Sequence, residues 1–262
     1  MTPIFSEFDL NKSEYLAFTE GISRYTVGVR TDGGRGFGTG TVLLRDRKKV
    51  LLTADHVLDE VDMAQVRFYL RPEGTMIEAS VRDDVVPRPR TFTFGDTLNL
   101  TGPPARDKKN DLRALRIADT QELSGAAKFY DASKLTEYEI RDGASVVILG
   151  FPVSNSAPLA PGLIALGATS DHSKYDSKLN SLSGLPSAFD PLEQFLINYT
   201  RIEDNLDPEG FSGAGVWVNG DTAGGVWRPN PVLAGVVTGY FAKKRLLLAA
   251  RIGPVLRLLD RL

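Results

Sequence analysis

Asp207-Pro208-Glu209-Gly210-Phe211-Ser212-Gly213-Ala214-Gly215-Val216-Trp217-Val218 is a glycine-rich turn that presents one serine and runs straight into an apolar strand. Glycine lacks a Cβ, so Gly210 and Gly213 reach backbone angles closed to other residues and let the turn curl until the N–H groups of Gly210 and Ser212 face one point. Read this way, Ser212 is a nucleophile flanked by donors for the oxyanion that forms on attack. A tight hairpin with an incidental serine is the alternative reading of the same residues. The pattern is not a G-x-S-x-G nucleophile elbow, because Ala214 stands at the last glycine. A serine hydroxyl also needs a base, which has to come from elsewhere in the chain.

Outward from this turn the chain is mostly short strands. Tyr25 to Arg30, Phe37 to Leu44, Gln65 to Leu70, Met76 to Val81, Thr91 to Phe94, Ser145 to Gly150, Gly162 to Thr169 and Phe195 to Thr200 read as strands separated by Gly and Pro turns. Val216 to Val218, Val232 to Thr238 and Leu246 to Ile252 continue the pattern. Residues 12 to 23 read as a helix with Tyr15, Phe18 and Ile22 on one face, and Pro254 starts a closing helix carrying Val255, Leu256, Leu258 and Leu259. The polar stretches 102–110 and 170–192 read as loops, with His172 a solvated loop residue in the second. The glycines at 34, 36, 38 and 40 lack the Lys-Ser/Thr of a phosphate-binding loop and open a strand, so they are structural. Many short strands with little helix predict an all-β barrel or sandwich.

At 262 residues the chain fits one large β domain or two small ones, and its 42% hydrophobic and 24% charged content is ordinary for a globular protein. The net charge of -2 provides no basic field for phosphate backbones, so nucleic acid is not expected as a partner. With no cysteine there are no disulfides, no thiol catalysis and no cysteine-ligated metal, and a second histidine alone makes no metal site. No stretch reaches the ~20 apolar residues needed to span a bilayer. Residues 1–11 hold Glu7 and Asp9 without a basic start or apolar run, so no signal peptide is expected and the expected location is cytoplasmic.

The base and its partner are found by position. Val50-Leu51-Leu52-Thr53-Ala54-Asp55-His56-Val57-Leu58 is an apolar strand followed by a short helical turn, which places His56 at the strand's exit. Asp111 sits at a loop-to-strand junction ahead of Leu112-Arg113-Ala114-Leu115. Asp107 is the alternative carboxylate. A base within reach of a serine, held in its tautomer by a carboxylate, is the arrangement that activates a hydroxyl.

Thr53-Ala54-Asp55-His56-Val57 resembles the T-A-A-H signature of trypsin-like serine proteases, Asp111-Leu112-Arg113-Ala114-Leu115 their D-I-A-L-L segment, and Gly210-Phe211-Ser212-Gly213-Ala214 their G-D/N-S-G-G. Phe37-Gly38-Thr39-Gly40, Leu149-Gly150-Phe151-Pro152 and Leu233-Ala234-Gly235-Val236-Val237 are similar to further strands of that family, in its chain order. The absence of cysteine is closer to its bacterial-type members. The resemblance, from about residue 25 to the end, implies two six-stranded antiparallel β-barrels. Residues 1–24 would be an N-terminal helical extension, 25–125 a barrel carrying His56 and Asp111, and 126–262 a barrel carrying Ser212 and the closing helix.

The same resemblance implies a serine endopeptidase working through an acyl-enzyme, with His56, Asp111 and Ser212 catalytic, the Gly210 and Ser212 amides as oxyanion hole, and neither metal nor organic cofactor. It places the specificity pocket near Leu206, Asp207, Thr238, Gly239 and Tyr240. Leu206 carries no charge to pair with Lys or Arg, which points to a small or apolar residue before the scissile bond, and Tyr240 narrows the pocket. An inward-pointing Asp207 would reverse that preference. Phe211 stands where activated members of the family hold an acid for a freed N-terminus, so control by a regulatory protein partner or by localisation replaces zymogen cleavage. Asp55 replaces an alanine and adds a negative charge beside the base. A catalytically idle peptide-binding module and an esterase-like hydrolase are the competing functions.

Overall fold

The computed structural model describes residues 12–31, 37–59, 61, 66–69, 98–123, 127–133, 135–137, 139–160, 163–166, 168–200, 207–220 and 227–262. Seven strands make the first sheet: β1 (Thr26–Thr31), β2 (Phe37–Arg45), β3 (Lys48–Ala54), β4 (Val66–Tyr69), β5 (Ala105–Asp107), β6 (Leu112–Ile117) and β7 (Tyr130–Asp131). Their order is β4-β1-β2-β3-β6-β5, and β7 joins β2 in parallel, through Leu43↔Tyr130 and Leu44↔Asp131. After them come β8 (Ser145–Gly150), the ribbon β9 (Ser156–Ala160) with β10 (Leu163–Leu166), β11 (Thr169–Lys174), β12 (Gln194–Asn198), β13 (Gly215–Asn219), β14 (Pro231–Phe241) and β15 (Leu246–Arg251). The second sheet is six-stranded and antiparallel, in the order β11-β8-β13-β14-β15-β12.

The two β-sheet units expected from the sequence are present, but among the described residues neither is a fully closed six-stranded barrel. Among the described residues neither sheet closes on itself: no ladder joins β4 to β5, and none joins β11 to β12. The strands expected at 76–81 and 91–94 lie outside the described residues. In the second sheet a side chain bridges the gap between the edges, since Asp171 Oδ1 accepts from the Thr200 amide at 3.1 Å and from its hydroxyl at 2.5 Å.

Alternation along the strands splits most of the core in three, because successive side chains point to opposite faces, and Tyr69 with Phe151 makes a small fourth cluster. Val27, Val29, Val42, Leu51 and Leu115 fill the inside of the first sheet. Val146, Ile148, Val216, Val218 and Phe195 fill the second. The alternate residues of the same strands, Leu43, Val50, Leu52, Val147, Leu149 and Trp217, meet between the sheets. Strands buried on both faces read as unbroken apolar runs, which is why Val50–Leu52 and Val146–Leu149 stand out in the sequence. Trp217 is fully buried in this middle layer, with the Tyr130 ring edge-on at 5.0 Å.

Both helices seal the middle layer. In α1 (Lys12–Ser23) the buried Tyr15, Phe18 and Ile22 recur at helical spacing, and the Tyr15 hydroxyl donates to Ser170 Oγ at 2.7 Å. The second helix, α2 (Ile252–Leu259), starts two residues before Pro254. A first-turn amide has no intrahelical acceptor, so a proline without its N–H is tolerated there. Two expected loops contain structure. Residues 102–110 include β5, and 170–192 opens with β11 and a 3-10 turn at Ser177–Ser181 capped by Asp176, which accepts from the Lys178 amide at 3.0 Å. His172 is accordingly a strand residue, half-buried with its ring 5.2 Å from that of Tyr15, and not a solvated one.

Candidate active site

The end of β3 delivers His56. Ala54 pairs with Leu112 of β6, and the chain then enters a 3-10 turn, Asp55–Leu58, whose first amide donates to the Asp111 carbonyl at 2.9 Å. Asp111 takes a left-handed backbone, φ 53°, which turns its carboxylate back over the same turn. Oδ1 accepts from the His56 amide at 2.9 Å and Oδ2 lies 2.5 Å from His56 Nδ1. A carboxylate is acceptor only, so in the neutral ring Nδ1 carries the proton and Nε2 presents a lone pair. The hydrogen bond to Asp111 raises the His56 pKa above its ordinary value; burial opposes this, and the charges of Asp111, Asp55 and Asp59 add to it. Half of the imidazole side chain is exposed, at 51%.

Asp107 is not the partner. Its oxygens accept from the Asn110 amide at 3.3 Å and from Asn110 Nδ2 at 2.9 Å, so it caps the turn that leads to Asp111.

Asp55 is a structural anchor as well as a charge beside the base. Its buried carboxylate takes Arg106 Nε at 2.8 Å and Nη2 at 2.6 Å, and Arg113 Nε at 2.7 Å. Arg113 also donates from Nη1 to the Leu58 carbonyl at 2.5 Å, and Arg106 reaches Asp59 at 2.9 Å. Burial pushes the Asp55 carboxyl up, but the hydrogen bonds and charges of Arg106 and Arg113 outweigh it and hold the group below the usual carboxylate range. Nothing in the local pattern marks Arg106 or Arg113 as supports of the histidine turn. The ladder does, since it sets Arg113 opposite Thr53.

The Ser212 loop is stitched to the first sheet. Thr39 of β2 donates its amide to the Ser212 carbonyl at 2.8 Å and its hydroxyl to the Gly210 carbonyl at 2.6 Å, while Thr53 Oγ1 donates to the Thr39 carbonyl at 2.7 Å. Gly213, at φ 89°, lies so close that a Cβ there would sit 1.9 Å from the Thr39 oxygen. A Cβ on Gly38 would lie 2.6 Å from Val57 and 2.9 Å from the Ser212 carbonyl oxygen, so the serine backbone and the residue after His56 flank one bare glycine. Among the described residues no hydrogen bond joins the Ser212 hydroxyl to His56.

Two peptide planes in this loop are pinned. The Glu209 carbonyl accepts from the Val153 amide, and the Phe211 carbonyl from the Ala214 amide, both at 2.8 Å. In a trans peptide the following N–H points the opposite way, so the amides of Gly210 and Ser212 face away from these partners. Among the described residues neither donates to a backbone carbonyl. Phe211 is fully buried, edge-on to Tyr199 at 5.8 Å, and a Cβ on Gly150 would come within 2.9 Å of its ring. An apolar ring thus anchors the loop.

Beside it, Asp207 is exposed and accepts from the Glu209 amide at 2.9 Å, closing its own turn. Thr238 is buried at the bulge between Val237 and Gly239, and half-buried Tyr240 meets Tyr199 edge-on at 5.8 Å. The hydroxyls of Thr238 and Tyr240 are buried without a partner among the described residues. Leu206 lies outside the described residues. Among the described residues no group of three or more His, Cys, Asp or Glu could hold a metal ion, and no helix is long and apolar enough to cross a membrane.

No family model matches the chain, and no curated protein matches it. Solved structures do match. A serine endoprotease from Yersinia pestis superposes with a TM-score of 0.53 at 15% identity, covering 94% of this chain and 65% of that one, so the chain spans about two thirds of its length. Two inactivated protease paralogues of the scabies mite superpose at TM-scores of 0.55 and 0.52, at 15% and 17% identity; they cover 93% and 94% of this chain and 93% and 96% of their own. The chain has the chymotrypsin-like double-sheet fold, which is carried both by serine proteases and by inactivated protease paralogues.

Proposed function

We propose that the protein is a serine endopeptidase. His56 is general base and then acid, Asp111 orients it, Ser212 is the nucleophile, and the Gly210 and Ser212 amides form the oxyanion hole. The observation that carries this reading is the meeting of two devices. A carboxylate grips the histidine turn at both its amide and its Nδ1, and a pinned glycine loop from the other sheet sets the serine backbone against the same turn.

In the proposed reaction Ser212 Oγ bonds to the scissile carbonyl carbon while its proton passes to His56 Nε2. The carbonyl oxygen takes the negative charge and is met by the two amides. The imidazolium, stabilised by Asp111, gives its proton to the departing amine nitrogen as the C–N bond breaks. Water, giving a proton to His56 Nε2, then bonds to the acyl carbon, and the carbon–Oγ bond breaks as Ser212 Oγ takes that proton back, releasing the acid. The serine–histidine hydrogen bond belongs to the substrate complex, since such contacts are commonly long or misaligned in the free enzyme.

Asp207 spends a carboxylate oxygen on its own turn and the Tyr199–Tyr240 pair crowds the neighbouring wall, which supports a small or apolar residue before the scissile bond. The cysteine-free composition supports a cytoplasmic location, and the Phe211 anchor, which needs no freed N-terminus, supports control by a protein partner.

A second reading is favoured by two observations. Among the described residues no hydrogen bond joins the Ser212 hydroxyl to His56, and the fold is shared with inactivated paralogues, so an idle peptide-binding module uses the same surface without chemistry. Digestion of a defined peptide pool read by mass spectrometry separates the two. The endopeptidase reading expects cleavage after small or apolar residues that Ser212→Ala abolishes. Peptides bound but left intact by the wild-type protein would select the module.

A further inference from the structure

The turn that ends in Asp111 is held from the opposite sheet. Asn110 is buried, at 1% exposure, and its Nδ2 donates to Asp107 Oδ2 at 2.9 Å and to Glu193 Oε2 at 2.8 Å. Glu193 stands at the entrance to β12, 83 residues further along the chain. Lys109 Nζ reaches the same Oε2 at 2.9 Å and Asp190 Oδ2 at 3.0 Å. The other oxygen, Oε1, accepts from Arg257 Nη2 of α2 at 2.7 Å. The Glu193 main chain is locked too, because its carbonyl accepts from the Arg251 amide at 2.8 Å.

Glu193 is therefore a fixed carboxylate that gathers donors from the Asp111 turn and from the C-terminal helix. Lys109 and Arg257 are more than half exposed, and pairs of that kind contribute little. Asn110 is different. A buried amide that loses one of its two acceptors leaves an N–H unpaired at a desolvation cost, which a shift of the turn relieves. Asp111 follows it directly in a left-handed backbone, so whatever displaces Asn110 re-aims the carboxylate that holds His56.

We infer that Glu193 is a positioning residue, which through Asn110 sets the left-handed turn and aims Asp111 at His56. Any effect on hydrolysis rests on the function proposed above, but the aiming can be read without hydrolysis. The chain has two histidines, His56 and His172, so NMR titration of the imidazole protons resolves His56 once His172→Gln identifies the other signal.

Two variants separate aiming from charge. Glu193→Gln keeps the length and an acceptor oxygen for Asn110 but removes the charge. Glu193→Asp keeps the charge but falls one methylene short of Asn110. The groups that charge the surroundings of His56 are Asp111, Asp55 and Asp59, and both variants leave them in place. The expected result is a His56 midpoint near that of the wild type in Glu193→Gln and one lowered toward the free-histidine value of about 6.5 in Glu193→Asp. In an active enzyme kcat falls in Glu193→Asp with KM little changed.

The opposite order, lowered in Glu193→Gln and unchanged in Glu193→Asp, would overturn the inference in favour of a charge effect. Equal midpoints in both folded variants would overturn it outright. Should the wild-type protein neither cleave nor bind peptide, the proposed function fails while the titration still decides the positioning role.

Discussion

Asp55→Ala removes the carboxylate on which the histidine turn rests, and the structure sets the scale of the loss. The Asp55 and Arg113 side chains are 8% and 6% exposed, so their ion pair is out of solvent. Replacing Asp55 by alanine leaves the Arg113 guanidinium buried with its bond to the Leu58 carbonyl and the Asp59 carboxylate, 3.7 Å from Nη2, as its remaining partners. Breaking a buried pair by removing one partner costs about 3–5 kcal/mol. The surviving bond to Leu58 places the expected loss at the lower end, about 3 kcal/mol, a large fraction of the roughly 5–15 kcal/mol that holds a domain together.

Urea titration followed by tryptophan fluorescence reads the loss as a lower midpoint at unchanged slope, Trp217 being buried between the sheets. Asp55→Leu combined with Arg113→Leu should recover most of it, because an apolar pair of similar volume needs no partner. A loss below about 1 kcal/mol for Asp55→Ala, or a double variant no better than the single, would refute the reasoning. The sign with pH follows from the depressed Asp55 pKa: its stabilisation is complete above the unfolded value of about 3.9 and drains away as pH falls through the lower folded value.

Three further outcomes follow from the same geometry. His56 must be neutral to act as base and its pKa is raised, so the acid limb of kcat/KM should lie above about 6.5; Asp111→Asn should move it down while cutting kcat by orders of magnitude, measured by pH–rate profiles. The same raised pKa makes the His56–Asp111 contact stabilising at low pH and lost as pH rises through the folded value. Gly213→Ala would set a Cβ 1.9 Å from the Thr39 oxygen at φ 89°, and calorimetry should show a destabilisation above the ~1 kcal/mol of a tolerated glycine replacement, with peptide cleavage lost. Tyr240→Gly should admit larger side chains before the scissile bond, seen as a widened cleavage preference at undiminished rate on small residues.

Much of the fold was legible because the strands alternate between two cores. Val146-Val147-Ile148-Leu149 is apolar throughout since both of its faces are buried, and such a run separates from the polar turns around it. Closure was not legible, because it depends on which edges meet. The β11 edge is written in Thr169, Ser170, Asp171, His172, Ser173 and Lys174, a composition that reads as loop, and it is tied across by Asp171 instead of by a ladder.

At the site, the types and order of His56, Asp111 and Ser212 were readable from short motifs. Their supports were not. Arg106 and Arg113 reach Asp55 across more than fifty residues, and Glu193 reaches Asn110 across 83, distances at which local pattern carries no information. Phe211 was visible as a departure from an acid, but its role as buried anchor depends on bare Gly150 and on Tyr199, neither of them near it in the chain.

The central claim is that His56 activates Ser212, and a fluorophosphonate reagent tests it without knowledge of the substrate. We predict one adduct per chain, mapped to Ser212 by mass spectrometry, and none in Ser212→Ala or His56→Ala. Folded wild-type protein that takes up no reagent, or an adduct that survives His56→Ala, would contradict it.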